Sequence, residues 1–165
     1  MAENSIAVRP GEEKDLDAFF ELYWISSTEH TNYNEELDAL KPKEKCKEFI
    51  VSGQKDNIND KNQFFFVAED KEGIVGVVTG HVGERDESKV YTTEKMAYVD
   101  ELCVDPRYRK NGIGKKLMTR LLEEFDQKDV KFIGAGVAYK NSALDFYKSF
   151  GFNPEGIWII RKKNQ

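Results

Sequence analysis

The chain has 165 residues, 39% hydrophobic and 33% charged, and its 30 Asp plus Glu outnumber 25 Lys plus Arg for a net charge of −5. That length suits one domain, 1–165, able to bury about 70% of its unfolded surface without a metal or disulfide staple. The acidic balance argues against a nucleic-acid partner, and no apolar run approaches a membrane span of about 20 residues.

The opening, MAENSIAVRPGEEKD, lacks the apolar run and cleavage pattern of a leader. Two cysteines, Cys46 and Cys103, without CxxC spacing read as reduced thiols of a cytoplasmic protein. Ser5 to Arg9 reads as a first strand closed by Pro10-Gly11. Leu16, Phe19, Phe20 and Tyr23 then fall at helical spacing within Asp15 to Ser26. Residues Asn32 to Pro42 are polar, and Pro42 can open a second helix over Lys43 to Val51. QFFFVAE, Gln63 to Glu69, and Ile74 to Val82 flank a Lys71-Glu72-Gly73 turn as a β-hairpin.

After a polar stretch, Met96 to Val104 forms the next strand. Leu117, Met118, Leu121, Leu122 and Phe125 mark an amphipathic helix beginning near Gly112. Val130 to Ala138 reads as a central strand, Ser142 to Phe150 as a short helix, and Gly156 to Arg161 as a closing strand. Hairpins in the middle and alternating strands and helices later predict a mixed α/β sheet with helices on both faces.

The sharpest local feature is CVDPRYRKNGIGKKLMTRLLEEF, from Cys103 to Phe125. A strand gives way to a basic, glycine-containing turn and then to a helix. Gly112 and Gly114 admit a ligand close to the backbone, the helix start offers free N–H groups, and Arg109, Lys110 and Lys115 add positive charge. Such a turn suits a pyrophosphate; alone, it could equally be a solvated basic turn. A dinucleotide-binding fold wants its glycines after an early strand, and GKK lacks the spacing of a Walker-type loop.

Farther along, Ala143, Phe146, Tyr147 and Phe150 form one helical stripe, with Asn141 as a cap and Gly151 as a stop. By itself that stripe could be core. Together, Arg109, Gly112 and Gly114 in R-x-x-G-x-G, followed by Asn141, Phe146, Tyr147, Gly151 and Phe152, resemble the GCN5-related N-acetyltransferase family. Ala143 stands one place earlier than a three-residue step from the asparagine. The resemblance runs from about Gln63 to Ile160 and weakens before it.

It implies an acyl-CoA N-acyltransferase fold: a splayed, mixed central sheet flanked by helices, with a cofactor core over 63–160 and a variable acceptor side over 1–62. It also implies a bulged strand ending at Val104 that parts from the next strand, the pantetheine arm lying between them. Backbone groups near Leu102, Cys103 and Val104 would hold that arm. The turn of Arg109, Lys110, Asn111, Gly112, Ile113, Gly114 and Lys115 would cradle the pyrophosphate of acetyl-CoA, with Asn141 on the cofactor and Tyr147 near its sulfur.

Amine acylation needs a neutral nitrogen, a polarised carbonyl and help for the departing thiolate. Asp100 and Glu101 stand where they could take the amine proton. Strict alternation sends them to opposite faces, so that one serves the site, unless a bulge disturbs the count. Cys103 has no adjacent histidine to make it an acyl carrier, and His30 and His81 form no obvious pair. These scattered residues offer no zinc set, so no metal is expected.

Asp15, Tyr23, Trp24, Glu29, His30 and Tyr33 are candidates to frame the acceptor, a small-molecule or peptide amine. Glu84, Asp86 and Glu87 could attract a cation. An edge strand near Gly156 could pair across a homodimer. A non-catalytic acyl-CoA-binding or sensing module is the alternative reading.

Overall fold

The computed structural model describes residues 6–33, 39–85, 92, 95–156 and 161. In chain order these form β1 (Ala7–Pro10), a 3-10 turn (Glu13–Asp15), α1 (Leu16–His30), α2 (Lys43–Asn57), β2 (Gln63–Asp70), β3 (Gly73–Glu84) and β4 (Lys95–Val104). A second 3-10 turn (Pro106–Tyr108), α3 (Ile113–Phe125), β5 (Ile133–Ala135) and α4 (Ala143–Lys148) follow. The sheet keeps chain order, β1-β2-β3-β4-β5. Its first four strands are antiparallel, and β5 runs parallel to β4.

Helices cover both faces. Leu16, Phe19 and Leu22 of α1 pack with Phe65, Val67, Val77 and Cys103 on one face. Ile113, Leu117, Met118, Leu121 and Phe125 of α3 pack with Phe66, Ala68, Val78, Ala97 and Val99 on the other. Each of those α3 side chains is essentially sealed from water, worth about 2 kcal/mol apiece. The helix beds so closely that a Cβ at Gly80 would lie 2.8 Å from Phe125 and 2.6 Å from the Tyr98 carbonyl oxygen. At the other end of the helix a Cβ at Gly76 would lie 3.0 Å from Leu117 and 3.2 Å from Ile113, so the start of α3, and with it the turn before it, is also bedded closely on the sheet.

Both early helices run longer than their apolar spacing predicts. The last turn of α2 is tied down by Lys55, which pairs with Glu13 at 3.0 Å. The last turn of α1 is held by Glu29, which meets the turn before α3. The corner from β1 into α1 is locked by Arg9, whose guanidinium grips buried Asp15 at 2.7 and 2.9 Å and Glu69 at 2.8 Å. Asp15 is thus engaged in holding this corner together.

The hairpin turn forms as expected, with Asp70 Oδ1 accepting from the N–H groups of Glu72 and Gly73. The strand expected over Val130 to Ala138 is cut to Ile133–Ala135, because its partner β4 buckles beyond Val99. It is the last strand of the sheet among the described residues rather than a central one. Of the closing strand expected over Gly156 to Arg161, and the dimer edge with it, residues 157–160 lie outside the described residues; so do Ser5, Asp86 and Glu87.

Candidate active site

Two irregularities in β4 shape the site. Its pairing with β3 slips between Thr79 and Gly80: Glu101 opposes Thr79, Val99 opposes Gly80, and Asp100 is left as the extra residue of a bulge. Its pairing with β5 stops at Val99 and Ala135. Beyond that point the strands part, and the side of β4 turned away from β3 is open.

The Asp105 N–H donates to the Val75 carbonyl at 2.9 Å, which makes Val77 and Cys103 a hydrogen-bonded pair in the same register. The backbone groups of Cys103 are therefore turned to β3. Those of Leu102 and Val104 face the gap, and the Val104 carbonyl already accepts from Arg109 Nε at 2.9 Å.

The turn after β4 is built for an anion. Lys110 (φ 65°) and Gly112 (φ 77°) both adopt left-handed backbone, and the space above Gly112 is empty to 4 Å. The first backbone bond of α3 is made by the Lys116 N–H to the Gly112 carbonyl. The N–H groups from Lys110 to Lys115 have no protein acceptor among the described residues. Alternating backbone hand turns consecutive N–H groups toward one point, and the helix start adds its positive end. These features fit the pyrophosphate of coenzyme A.

The guanidinium fork of Arg109 takes both oxygens of Glu29 at 3.0 and 2.9 Å, which ties the turn to α1 at the rim of the cleft. Asn111 is exposed and its side chain donates to the Tyr108 carbonyl at 3.2 Å; it is not among the residues lining the cleft.

That cleft, of about 460 Å³, brings together Leu102, Cys103, Val104, Arg109, Lys110, Gly112, Ile113, Gly114, Lys115, Asn141 and Tyr147. Ser26, Glu29, His30 and Tyr33 line it too, so the first third of the chain reaches the cofactor side. Asn141, one place before the cap position Ser142, accepts the Ala143 N–H at 2.8 Å, which satisfies the first N–H of α4 and leaves its own amide nitrogen for a ligand. Gly151 (φ 86°) ends that segment. Tyr147 stands edge-on between Phe146 and Phe152, each centroid 5.6 Å away.

The bulge overturns the expectation that Asp100 and Glu101 face opposite ways. Glu101 stands on the face of Cys103, under α1. The direction of a Cβ at Gly80 marks the α3 face, so the next residue, His81, points to the α1 side. Asp100 reaches that same histidine, its oxygens 2.8 and 2.9 Å from Nδ1. Both carboxyls thus serve one face.

Burial first, and the Asp100 charge second, push Glu101 up to about 7. Burial, then Glu101 and Cys103, push the Tyr147 hydroxyl up to about 12. Burial, then Glu101, push the Cys103 thiol up to about 12 as well. A neutral thiol is a poor nucleophile.

On the acceptor side, Tyr23 lies against Phe19 and senses the Glu101 charge. Trp24 packs on Phe20 beneath Lys43, and His30 meets Tyr33 edge-on. The contacts of His81 with Asp100 and of Glu29 with Arg109 were invisible to the motif. Each depends on a partner far away in sequence, and neither sits in a diagnostic spacing. Among the described residues, no three His, Cys, Asp or Glu side chains are grouped to hold a metal ion.

A mixed sheet that parts beside an anion-binding turn defines the acyl-CoA N-acyltransferase fold. The chain belongs to the acetyltransferase (GNAT) family, whose model matches residues 16–152. It is similar to the [ribosomal protein bS18]-alanine N-acetyltransferase of Escherichia coli (strain K12), 34% identical over 53 residues, which is 32% of this chain and 36% of that one.

Among solved structures it resembles a tetramutant of the BH1408 protein from Bacillus halodurans (TM-score 0.79, 18% identity, 95% of this chain and 99% of that one). It also resembles the aminoglycoside N-acetyltransferase AAC(6')-Iy in complex with CoA (TM-score 0.71, 12% identity, 98% and 96%). A third is glucosamine-6-phosphate N-acetyltransferase from Arabidopsis thaliana (TM-score 0.68, 15% identity, 97% and 99%). At these identities the structures establish the fold alone.

Proposed function

We propose that the protein transfers the acetyl group of acetyl-CoA to a primary amine by direct attack within a ternary complex. The observation that carries this reading is the single cleft onto which the unpaired N–H groups of the turn before α3, the gap-side segment Leu102–Val104, Asn141 and Tyr147 all open. The N–H groups from Lys110 to Lys115 bind the pyrophosphate, and the gap-facing backbone of Leu102 and Val104 holds the pantetheine arm and orients the acetyl carbonyl. Asn141 contributes its amide nitrogen.

Chemistry at the nitrogen requires a proton acceptor and chemistry at the sulfur a proton donor. Glu101, poised near neutrality, takes a proton from the attacking nitrogen. Tyr147, protonated across the working pH range, gives one to the departing thiolate without bringing a permanent charge to the site. The raised Cys103 thiol supports direct transfer over a cysteine-bound acyl intermediate.

The similar enzymes named above act, by their names, on aminoglycoside, glucosamine-phosphate and ribosomal-protein amines, so small-molecule and peptide amines both belong in the test. Incubation with acetyl-CoA and a mixed amine panel, following free thiol and acylated product, decides the reading. Product on at least one amine class is expected. Tight acetyl-CoA binding with no product on any amine would instead favour the acyl-CoA-sensing alternative.

A further inference from the structure

His81 is held from three sides. Its ring stacks on Tyr98 across the strand pair, with centroids 5.0 Å apart and planes at 21°. Its Nδ1 lies 2.8 and 2.9 Å from the two oxygens of Asp100, the bulge residue. Its outer edge lies over Gly83, where a Cβ would come within 3.1 Å of Cδ2 and 3.2 Å of Nε2. A side chain at position 83 would therefore push the ring. A carboxylate beside Nδ1 selects the tautomer with its proton on that nitrogen, leaving a lone pair on Nε2. Nε2 has no hydrogen-bond partner among the described residues, and the side chain is 33% exposed, within reach of water.

The proton count of amine acetylation gives this arrangement a task. An acceptor arriving as ammonium loses two protons on its way to an amide, and the departing sulfur takes up one. One proton must leave for solvent in every turnover. In this scheme the proton lost after attack returns to the sulfur through Glu101, on the Cys103 face under α1, and Tyr147, on the cleft wall. The proton lost before attack needs a separate acceptor that is open to water.

We propose that His81, oriented by Asp100, is that acceptor. The ammonium N–H bond breaks with its electron pair left on nitrogen, and the proton passes to Nε2 directly or through one water. Asp100 stabilises the imidazolium, which then releases the proton to solvent. The freed amine attacks the carbonyl, the C–N bond forms, and the C–S bond breaks. This inference rests on the acetylation reading above and extends it to a residue of β3 outside the family motifs.

The test has two arms. Nitrogen-15 NMR of the wild-type protein at mildly basic pH should show His81 protonated on Nδ1 and bare on Nε2, with that preference lost in Asp100→Asn. A proton on Nε2 in the wild type overturns the proposal. In the kinetic arm, His81→Ala should lower kcat by roughly ten- to a hundredfold with the acetyl-CoA KM unchanged. Added imidazole should restore the rate, and a series of substituted imidazoles should restore it in order of basicity. A wild-type rate in His81→Ala, or a loss that no imidazole repairs, overturns the proton exit alone. A wild-type protein inactive on every amine overturns the acetylation reading, and the proton exit with it.

Discussion

Asp100 and Glu101 are adjacent in the chain and present their carboxyls to the same face of β4, because Asp100 is the extra residue of a bulge. The pair resembles a shared-site dyad, in which one negative charge opposes the second. Burial first, and the Asp100 charge second, raise Glu101 to about 7; Asp100 is turned outward to His81.

The first consequence is kinetic. The rate of the chemical step should climb as pH rises through about 7, where Glu101 loses its proton. No descending limb from Tyr147 should appear in an ordinary assay range, because its hydroxyl is held near 12. Asp100→Asn removes a like charge and should move the inflection down, and Glu101→Gln should remove the contribution of Glu101 to it. Identical pH–rate profiles in wild type and Glu101→Gln would remove this base role.

The second consequence is thermodynamic. Below about pH 4.5 the Glu101 carboxyl is neutral whether the chain is folded or not, so its burial costs nothing extra. As pH rises toward 7 the unfolded chain ionises and the folded one resists, so stability falls until both are charged. The loss reaches about 3 kcal/mol at most. Glu101→Gln should therefore raise Tm at pH 8 by roughly 3–8 °C and leave it unchanged at pH 4. Calorimetry at both pH values checks the sign.

The two turn glycines should separate backbone strain from ligand fit. Gly112 has a φ of 77° with open space above it. Gly112→Val should cost about 1–2 kcal/mol of stability and weaken acetyl-CoA binding at least tenfold, or roughly 1.4 kcal/mol. A Cβ at Gly114 would meet Phe146 and Val104 only at 3.7–3.8 Å, ordinary contact. Gly114→Ala should leave stability within about 0.5 kcal/mol, so any loss of binding there reports on the ligand alone. Titration calorimetry beside thermal melts distinguishes the two.

These residues also show how far the sequence reaches. The glycine turn and α3 were legible because their chemistry is local: left-handed backbone at Gly112, and apolar spacing from Ile113 to Phe125 that the structure seals from water. The parted strands followed from the family resemblance and agree with the pairing, and Asn141 at the head of α4 followed from its place before the helical stripe and agrees with its hydrogen bond. The shared face of Asp100 and Glu101 was not legible, since a bulge is set by register with β3 and no composition marks it. Nor was the full length of α1, whose last turn is fixed by a contact between Glu29 and Arg109.

That contact yields its own prediction. Glu29 occupies the guanidinium fork of Arg109 at the rim of the cofactor cleft. Glu29→Gln removes a negative charge and frees the arginine for an anion, so acetyl-CoA binding should tighten by roughly two- to fivefold, or under about 1 kcal/mol. The gain should fade with added salt. Unchanged or weaker binding at low salt would show that the ion pair serves the cofactor turn by shaping it.

The central claim is that Tyr147 protonates the departing sulfur, and Tyr147→Phe tests it most directly by keeping the ring between Phe146 and Phe152 while deleting the hydroxyl. The measurement is the chemical step by rapid quench with the amine saturating, so that slow product release cannot mask a loss. The account predicts a fall of roughly ten- to a thousandfold with acetyl-CoA affinity little changed. A wild-type chemical rate in Tyr147→Phe would contradict it.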